Sequence, residues 1–156
     1  MNLLLISADQ ARTDQPITIS GRQHQHIKKV LRKNEGDPLQ IGIVDGDIYQ
    51  ATITRIDSDH TQVVLGEPSP APAALPCTLI MAMPRPKMLR RVLQTVSAMG
   101  VKEIYLINSY KVEKSFWQTP FLEPDAVNEQ LILGLEQAKD TYMPTLHIKK
   151  LFKPFV

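Results

Sequence analysis

One cysteine, Cys77, stands among 156 residues. An intramolecular disulfide and a cysteine-built zinc site are thereby excluded, and a reducing compartment is consistent with that usage. No apolar run approaches the roughly 18–20 residues that span a bilayer. Met1-Asn2-Leu3 lacks the basic start and small-residue cleavage site of a secretory leader. The expected compartment is the cytoplasm, with no membrane partner. Beyond residue 76 the only glycines are Gly100 and Gly134, and no G-x-G-x-x-G turn, Walker loop or G-x-S-x-G elbow occurs. A nucleotide-type cofactor has no obvious cradle in these residues. Cys77, beside Thr78-Leu79-Ile80, reads as buried filler in a strand.

The formal net charge of +2 conceals an asymmetry: residues 1–68 carry 7 basic and 9 acidic side chains, and residues 69–156 carry 11 and 7. Most acids of the first half occupy turn-like positions such as Asp45, Asp47, Asp57 and Asp59. The stretch from Gly21 to Lys33 is therefore locally unneutralised, with Arg22, Lys28, Lys29, Arg32 and Lys33 and no acid among them. Ile27, Val30 and Leu31 recur at i, i+3 and i+4, which predicts a helix of about three turns with one apolar stripe. Ser20 is the expected N-cap and Asn34-Glu35-Gly36 the stop. The cations, His24 and His26 are expected to point away from the stripe. Such a face suits a polyanion; a merely solvated basic face is the plain alternative, and spacing does not choose between them. The H-x-H spacing puts the two histidines on different faces, with no cysteine or carboxylate cluster beside them, so no metal site is expected.

Four prolines within Glu67–Pro76 favour an extended spacer, and a boundary is placed there. Residues 1–68 form the first unit, 69–76 the linker and 77–156 the second unit. In the first, Leu3–Ile6, Ile17–Ile19, Leu39–Val44, Ile48–Ile56 and Thr61–Leu65 are β-rich runs, with Asp45-Gly46 a hairpin signal. Five short strands and one helix suggest a small, closed or nearly closed barrel. In the second, Thr78–Met83 is an apolar strand, Pro86 opens a helix running to Met99 with Gly100 as its stop, and Glu103–Ile107 is another strand. Leu89, Leu93, Val96 and Met99 form that helix's expected buried stripe. A further helix over about Pro124–Lys139 carries Val127, Leu131, Leu135 and Ala138 on one face, before a strand near Thr145–Ile148. The fold class is α/β overall, with parallel strands in the second half.

Arg85, Lys87, Arg90 and Arg91 crowd the start of the helix after the first parallel strand. Ligands of open α/β sheets bind at the carboxyl ends of strands, so a phosphate or nucleic-acid backbone is the preferred explanation there, against a solvated helix end. Lys111 and Lys114 follow the second strand among Tyr110, Phe116 and Trp117. These could stack on a base, or Phe116 and Trp117 could fill a local core.

Arg22–Ile41 (R-Q-H-Q-H-I-K-K-V-L-R-K-N-E-G-D-P-L-Q-I), Ile80–Val101 (I-M-A-M-P-R-P-K-M-L-R-R-V-L-Q-T-V-S-A-M-G-V) and Glu136–Pro144 (E-Q-A-K-D-T-Y-M-P) together resemble the ribosomal RNA small subunit methyltransferase E family. The resemblance runs in order across nearly the whole chain. It implies a PUA-like RNA-binding barrel followed by the β-α-β-α-β opening of a SPOUT-type domain. It further implies S-adenosylmethionine (SAM) as cofactor, N3 of a uridine in 16S ribosomal RNA within the small ribosomal subunit as target, and a homodimer. Family members continue past this point, through a G-P-E-G-G-type loop and a knotted C-terminal segment that form the cofactor pocket. The resemblance therefore leads to the expectation that the chain is shortened, that it is inactive alone, and that the cofactor site lies outside it. Relatives often have Glu-Leu-Gly-Val where this chain has Ala98-Met99-Gly100-Val101, and Gln-Ser-x-Arg where it has Gln137-Ala138-Lys139-Asp140.

The expected RNA contacts are Arg22, His26, Lys28, Lys29, Arg32 and Lys33 in the first half, and Arg85, Lys87, Arg90, Arg91, Lys111 and Lys114 in the second. The two basic surfaces are expected to face one RNA together. No general base is assigned. The alternatives are a non-catalytic RNA-binding module and an α/β protein that binds a phosphorylated ligand through Arg85–Arg91. Three strands with two helices should leave part of the second sheet bare, and exposed Phe152, Phe155 or Val156 would favour self-association.

Overall fold

The computed structural model describes residues 2–11 and 16–156. Met1, which entered the reading against a leader, and residues 12–15, inside the expected barrel, lie outside the described ones. The elements are β1 (Leu4–Ile6), α1 (Ala8–Ala11), β2 (Ile17–Ile19), α2 (Gly21–Gln25), a π-helical segment (His26–Leu31), β3 (Pro38–Ile43), β4 (Ile48–Ile56), β5 (Thr61–Ser69), β6 (Thr78–Ala82), α3 (Pro86–Ala98), β7 (Glu103–Ile107), two 3₁₀ turns (Lys114–Gln118 and Pro120–Leu122), α4 (Pro124–Ala138), β8 (Thr145–Lys149) and α5 (Phe152–Phe155).

The first five strands form one sheet in the order β1-β3-β4-β5-β2, and the last three a parallel sheet in the order β6-β7-β8. Alternating residues of the first sheet point inward: Leu39, Ile41, Ala51, Ile53 and Val63 meet Leu4 and Ile6 from one edge and Ile17 and Ile19 from the other. Both edges thus close on one core, as a nearly closed barrel requires, although no ladder joins β1 to β2 among the described residues. The β3–β4 turn carries Asp45 at φ 59, with the Gly46 N–H donating to the Ile43 carbonyl at 2.8 Å. That is the hairpin expected from Asp45-Gly46.

Three features differ from the sequence reading. The strand β5 continues to Ser69, with Pro68 opposite Tyr49, so the spacer is shorter than its prolines implied. Pro68 is tolerated because it lies near the strand's end, after a register shift between Tyr49 and Ala51. Cys77 is exposed, not buried; it precedes β6 instead of lying within it. The basic helix is α-helical only to Gln25 and then π-helical to Leu31, ending at Arg32 with φ 51. Ser20 is extended, as an N-cap is, but its side chain caps nothing.

In the second half, α3 and α4 cover one face of the parallel sheet. Leu89, Leu93 and Val96 of α3 and Val127 and Leu131 of α4 pack with Ile104 and Leu106 of β7. Met99, the expected end of the α3 stripe, is exposed, while Ser97 is buried and donates its hydroxyl to the Leu131 carbonyl at 2.7 Å. The helices run parallel and close: a Cβ added at Gly134 would lie 2.3 Å from the Gln94 carbonyl oxygen. Only a hydrogen at that position lets the backbones approach so nearly.

Candidate nucleic-acid interface

The two halves are joined through the carboxyl end of α4. The Glu136 side chain is buried, and its Oε2 lies 2.9 Å from Nη1 of Arg22. Its Oε1 accepts from Gln23 Nε2 at 2.9 Å and from the Leu5 N–H at 3.2 Å. The Glu136 carbonyl also accepts from the N–H groups of Asn2 and Leu3, both at 3.0 Å. Beside this knot Leu3, Leu5, Ile48 and Leu135 form a small apolar cluster. The β3–β4 hairpin docks on the loop after α4: the Asp45 N–H donates to the Thr141 carbonyl at 2.8 Å, and Asp45 Oδ1 accepts from the Met143 N–H at 2.9 Å. Gly42 admits this approach, since a Cβ there would lie 2.7 Å from Thr141 Cγ2.

Arg22 is therefore part of the joint between the halves, a role that sequence could not reveal because its partner lies 114 residues away. The rest of the basic segment divides. Lys28, Lys29 and Arg32 are exposed, and Lys28 Nζ donates to the Asp57 carbonyl at 3.2 Å. Lys33 and His26 are half-buried. His24 was expected to point outward. It is instead fully buried, with Nδ1 2.8 Å from Thr61 Oγ1 and Nε2 3.1 Å from the Ser58 carbonyl oxygen. Of the expected stripe only Ile27 is buried; Val30 is 65% and Leu31 37% exposed. The i→i+5 bonding of a π-helix turns residues after Ile27 away from where a 3.6-residue repeat would set them. Val30 and Leu31 lie within that wider turn, whereas His24, three residues before Ile27 in the α-helical part, shares the Ile27 face.

At the start of α3, Arg85, Lys87, Arg90 and Arg91 are all exposed, and Arg90 lies over the Phe121 ring, 5.1 Å from its centre. No acidic residue occupies the first turn of α3. Lys111 and Lys114 are exposed, whereas Phe116 and Trp117 pack against the core of this half. The local-core alternative thus describes the aromatics. Trp117 Nε1 donates to Asn108 Oδ1 at 3.3 Å.

The two basic groups lie toward opposite ends of the α3–α4 pair. The parallel course of α3 and α4, shown by Gln94 meeting Gln130 at 2.5 Å, puts the Arg85–Arg91 group at the amino ends of the helices. The Arg22–Lys33 segment sits at their carboxyl ends, beside Glu136. Along α3 the carboxyl end lies about 20 Å from Arg85 and about 10 Å from Arg91.

The family model described as an RNA methyltransferase domain matches residues 71–156, more than half of the chain. This chain belongs to that family. The model of an RNA methyltransferase PUA domain matches residues 19–66. A ribosomal RNA small subunit methyltransferase E from Treponema pallidum is 30% identical over 131 residues, covering 83% of this chain and 49% of the relative. A ribosomal RNA small subunit methyltransferase E 1 from Borreliella burgdorferi is 25% identical over 156 residues, covering 98% and 63%. The solved structure of a putative methyltransferase from Legionella pneumophila, in complex with bound SAM, superposes with a TM-score of 0.71 at 16% identity, covering 99% of this chain and 65% of that one. The chain thus spans about half to two thirds of the length of these relatives. The α/β class and the barrel-plus-methyltransferase architecture agree with the sequence reading. Asp140, in the stretch after α4, is buried and paired with Lys102 at 2.5 Å.

At the carboxyl ends of β7 and β8 an apolar cavity of about 770 Å³ opens among Asn108, Tyr110, Lys150, Leu151, Phe152 and Lys153. It lies where α/β sheets take their ligands. No helix among the described residues is long and apolar enough to cross a membrane.

Proposed function

We propose that this chain carries the RNA-docking barrel and the first part of the catalytic domain of a SAM-dependent ribosomal RNA methyltransferase. The target is N3 of a uridine in 16S ribosomal RNA, and the setting is cytoplasmic, on the small ribosomal subunit. The observation that carries this reading is the pair of successive family matches, barrel over 19–66 and methyltransferase over 71–156. In this reading residues 1–68 dock RNA, 69–76 connect, and 77–156 supply the first strands of a methyltransferase that acts as a homodimer.

SAM presents a sulfonium, an ammonium group and ribose hydroxyls, which call for acceptors. The cavity at the carboxyl ends of β7 and β8 offers two lysines, the Ser109 and Tyr110 hydroxyls and an Asn108 oxygen that also accepts from Trp117, but no carboxylate for the sulfonium and ammonium charges. Its apolar wall suits an adenine ring, but the described residues do not fit the whole cofactor. The groups that complete a SAM site are therefore sought outside them, and this chain by itself is proposed to be catalytically incomplete.

The chain's own residues bind and orient. Lys28, Lys29, Arg32 and Lys33 grip phosphates, with Arg22 held back by Glu136. Arg85, Lys87, Arg90 and Arg91, with Lys111 and Lys114, present cations at the carboxyl ends of the strands. An arginine there stabilises a uridine anion instead of removing its proton, since guanidinium stays protonated at neutral pH.

Methylation at N3 blocks base pairing, so reverse transcriptase halts there. Deleting the gene should erase one such stop on 16S ribosomal RNA, and restoring the gene should bring it back; an unchanged stop pattern refutes the reading. For the docking role, alanine at Lys28, Lys29, Arg32 and Lys33 should weaken RNA binding and flatten the dependence of log affinity on log salt by about 3 to 4 units. An unaltered slope refutes that assignment.

A further inference from the structure

A second cavity lies on the seam between the halves. Its volume is about 270 Å³, and Lys33, Gln40 and His26 of the barrel share it with Lys139 of the second half, over a floor that includes Leu31 and Leu39. No carboxylate lines it, and among the described residues neither lysine has an acidic partner. Two full positive charges thus share one recess. Lys139 caps the carboxyl end of α4, but that end contributes only about half a negative charge. The recess therefore favours an anion.

His26 supplies an independent observation. Its Nε2 is the only buried side-chain nitrogen or oxygen among the described residues that lacks a hydrogen-bond partner. Buried polar atoms without partners are rare in folded proteins, and each calls for an explanation. This atom is out of contact with water while His26 itself lines the cavity, so a turn of the imidazole would present it there. That turn gives up no existing bond. A base edge carries both donors and acceptors and so suits either tautomer of the ring, and the Gln40 amide offers the same pair of functions. The floor of leucines suits the base's flat face.

We infer that this seam cavity receives one unpaired nucleotide of a structured RNA, with its phosphate between Lys33 and Lys139 and its base against the floor, beside His26 and Gln40. The inference rests on the RNA-docking reading and deepens it. The site exists only when both halves are assembled, because its two cations come from different ones. It therefore links recognition by the barrel to the placement of the catalytic half.

The test compares a duplex RNA carrying a single unpaired uridine with the same duplex fully paired, by fluorescence anisotropy. Wild-type protein should bind the bulged duplex about tenfold more tightly, the factor expected of one base contact. Lys33→Gln with Lys139→Asn should remove that preference; asparagine is chosen because position 139 has φ 56 and asparagine tolerates that conformation. Alanine at exposed Lys29 should weaken both duplexes alike and preserve the preference. Equal binding of both duplexes by the wild type overturns the cavity while leaving RNA docking in place. Failure to bind either duplex overturns both. Free uridine monophosphate at the same nucleotide concentration should not compete; competition at parity would assign the cavity to a free nucleotide and overturn an RNA site. Unchanged thermal melting of the double variant confirms that the preference is lost without unfolding.

Discussion

The two sheets solve the burial problem differently. The first curls until β1 and β2 share a core with β3, β4 and β5, so its apolar residues are covered by its own strands. The second has its two long helices, α3 and α4, on one face, and only the four-residue α5 reaches the other. Leu79, Met81, Leu106 and Leu146 look into the helix layer, while on the opposite face Ile80 is 51% exposed. There Tyr105 stacks on His147 at 4.4 Å and meets Phe155 at 5.3 Å. Leu151, Phe152 and Val156 remain exposed nearby. A self-closed sheet needs nothing further, whereas a parallel sheet normally buries both faces. The expectation of a bare face or edge is thus met by a face that α5 covers only in part, with Ile80 and Ile148 left exposed.

The sharpest way to break this contrast is to truncate one residue on each face of the second sheet. Leu106→Ala should cost about 3 kcal/mol in urea denaturation, as for a buried leucine, and Ile80→Ala less than about 0.5 kcal/mol. Equal costs would mean that the open face is covered in solution. Next, Gly134→Ala should cost roughly 2 kcal/mol by forcing α3 and α4 apart, lowering the melting temperature without altering barrel strand signals. Glu136→Gln should cost about 1–2 kcal/mol, toward the low end of charged hydrogen bonds because Arg22 is 45% exposed. Its distinguishing effect is faster hydrogen exchange at the N–H groups of Asn2, Leu3 and Leu5; exchange confined to α4 would show that the halves are held by the leucine cluster instead.

Much of the fold was legible because local pattern and tertiary burial agree there. Ile48–Ile56 and Glu103–Ile107 alternate or run apolar as their sheets demand, and the structure reproduces both spans. Legibility failed where one local rule was applied past its range. A 3.6-residue count cannot foresee a π-helical turn, so Val30 and Leu31 were read as buried; His24 lies three residues before Ile27 on the stripe's own face, and its polar side chain alone suggested exposure. The proline count overruled the pairing of Pro68, and Met99 was extrapolated from a stripe that ends at Val96. The joint was invisible for another reason: Arg22, Leu5 and Glu136 carry no shared motif, and only the fold makes them neighbours. The basic residues were recognisable as a group, but not their division between a joint, a cavity and an open surface.

The smallest expected effect concerns the β4–β5 turn of the barrel. Asp57 accepts the N–H groups of Asp59 and His60 at 2.9 and 2.7 Å, and these bonds hold its carboxyl below the usual aspartate value of 3.8. A depressed folded-state value means that the contribution is fully present above that value and lost as pH falls through the lower one. Asp57→Asn should therefore narrow the gap in stability between pH 6 and pH 3, and a gap of unchanged size would assign the acid sensitivity to other carboxylates.

The Glu136 carbonyl holds the second and third residues of the chain, which gives the joint a temporal meaning. During synthesis, β1 leaves the ribosome well before α4, so one side of it stays open to water until α4 has been made. The strand β1 is thus sealed by a helix made more than a hundred residues after it, and a nascent chain halted within the spacer would display Leu3 and Leu5 to whatever chaperone waits at the exit.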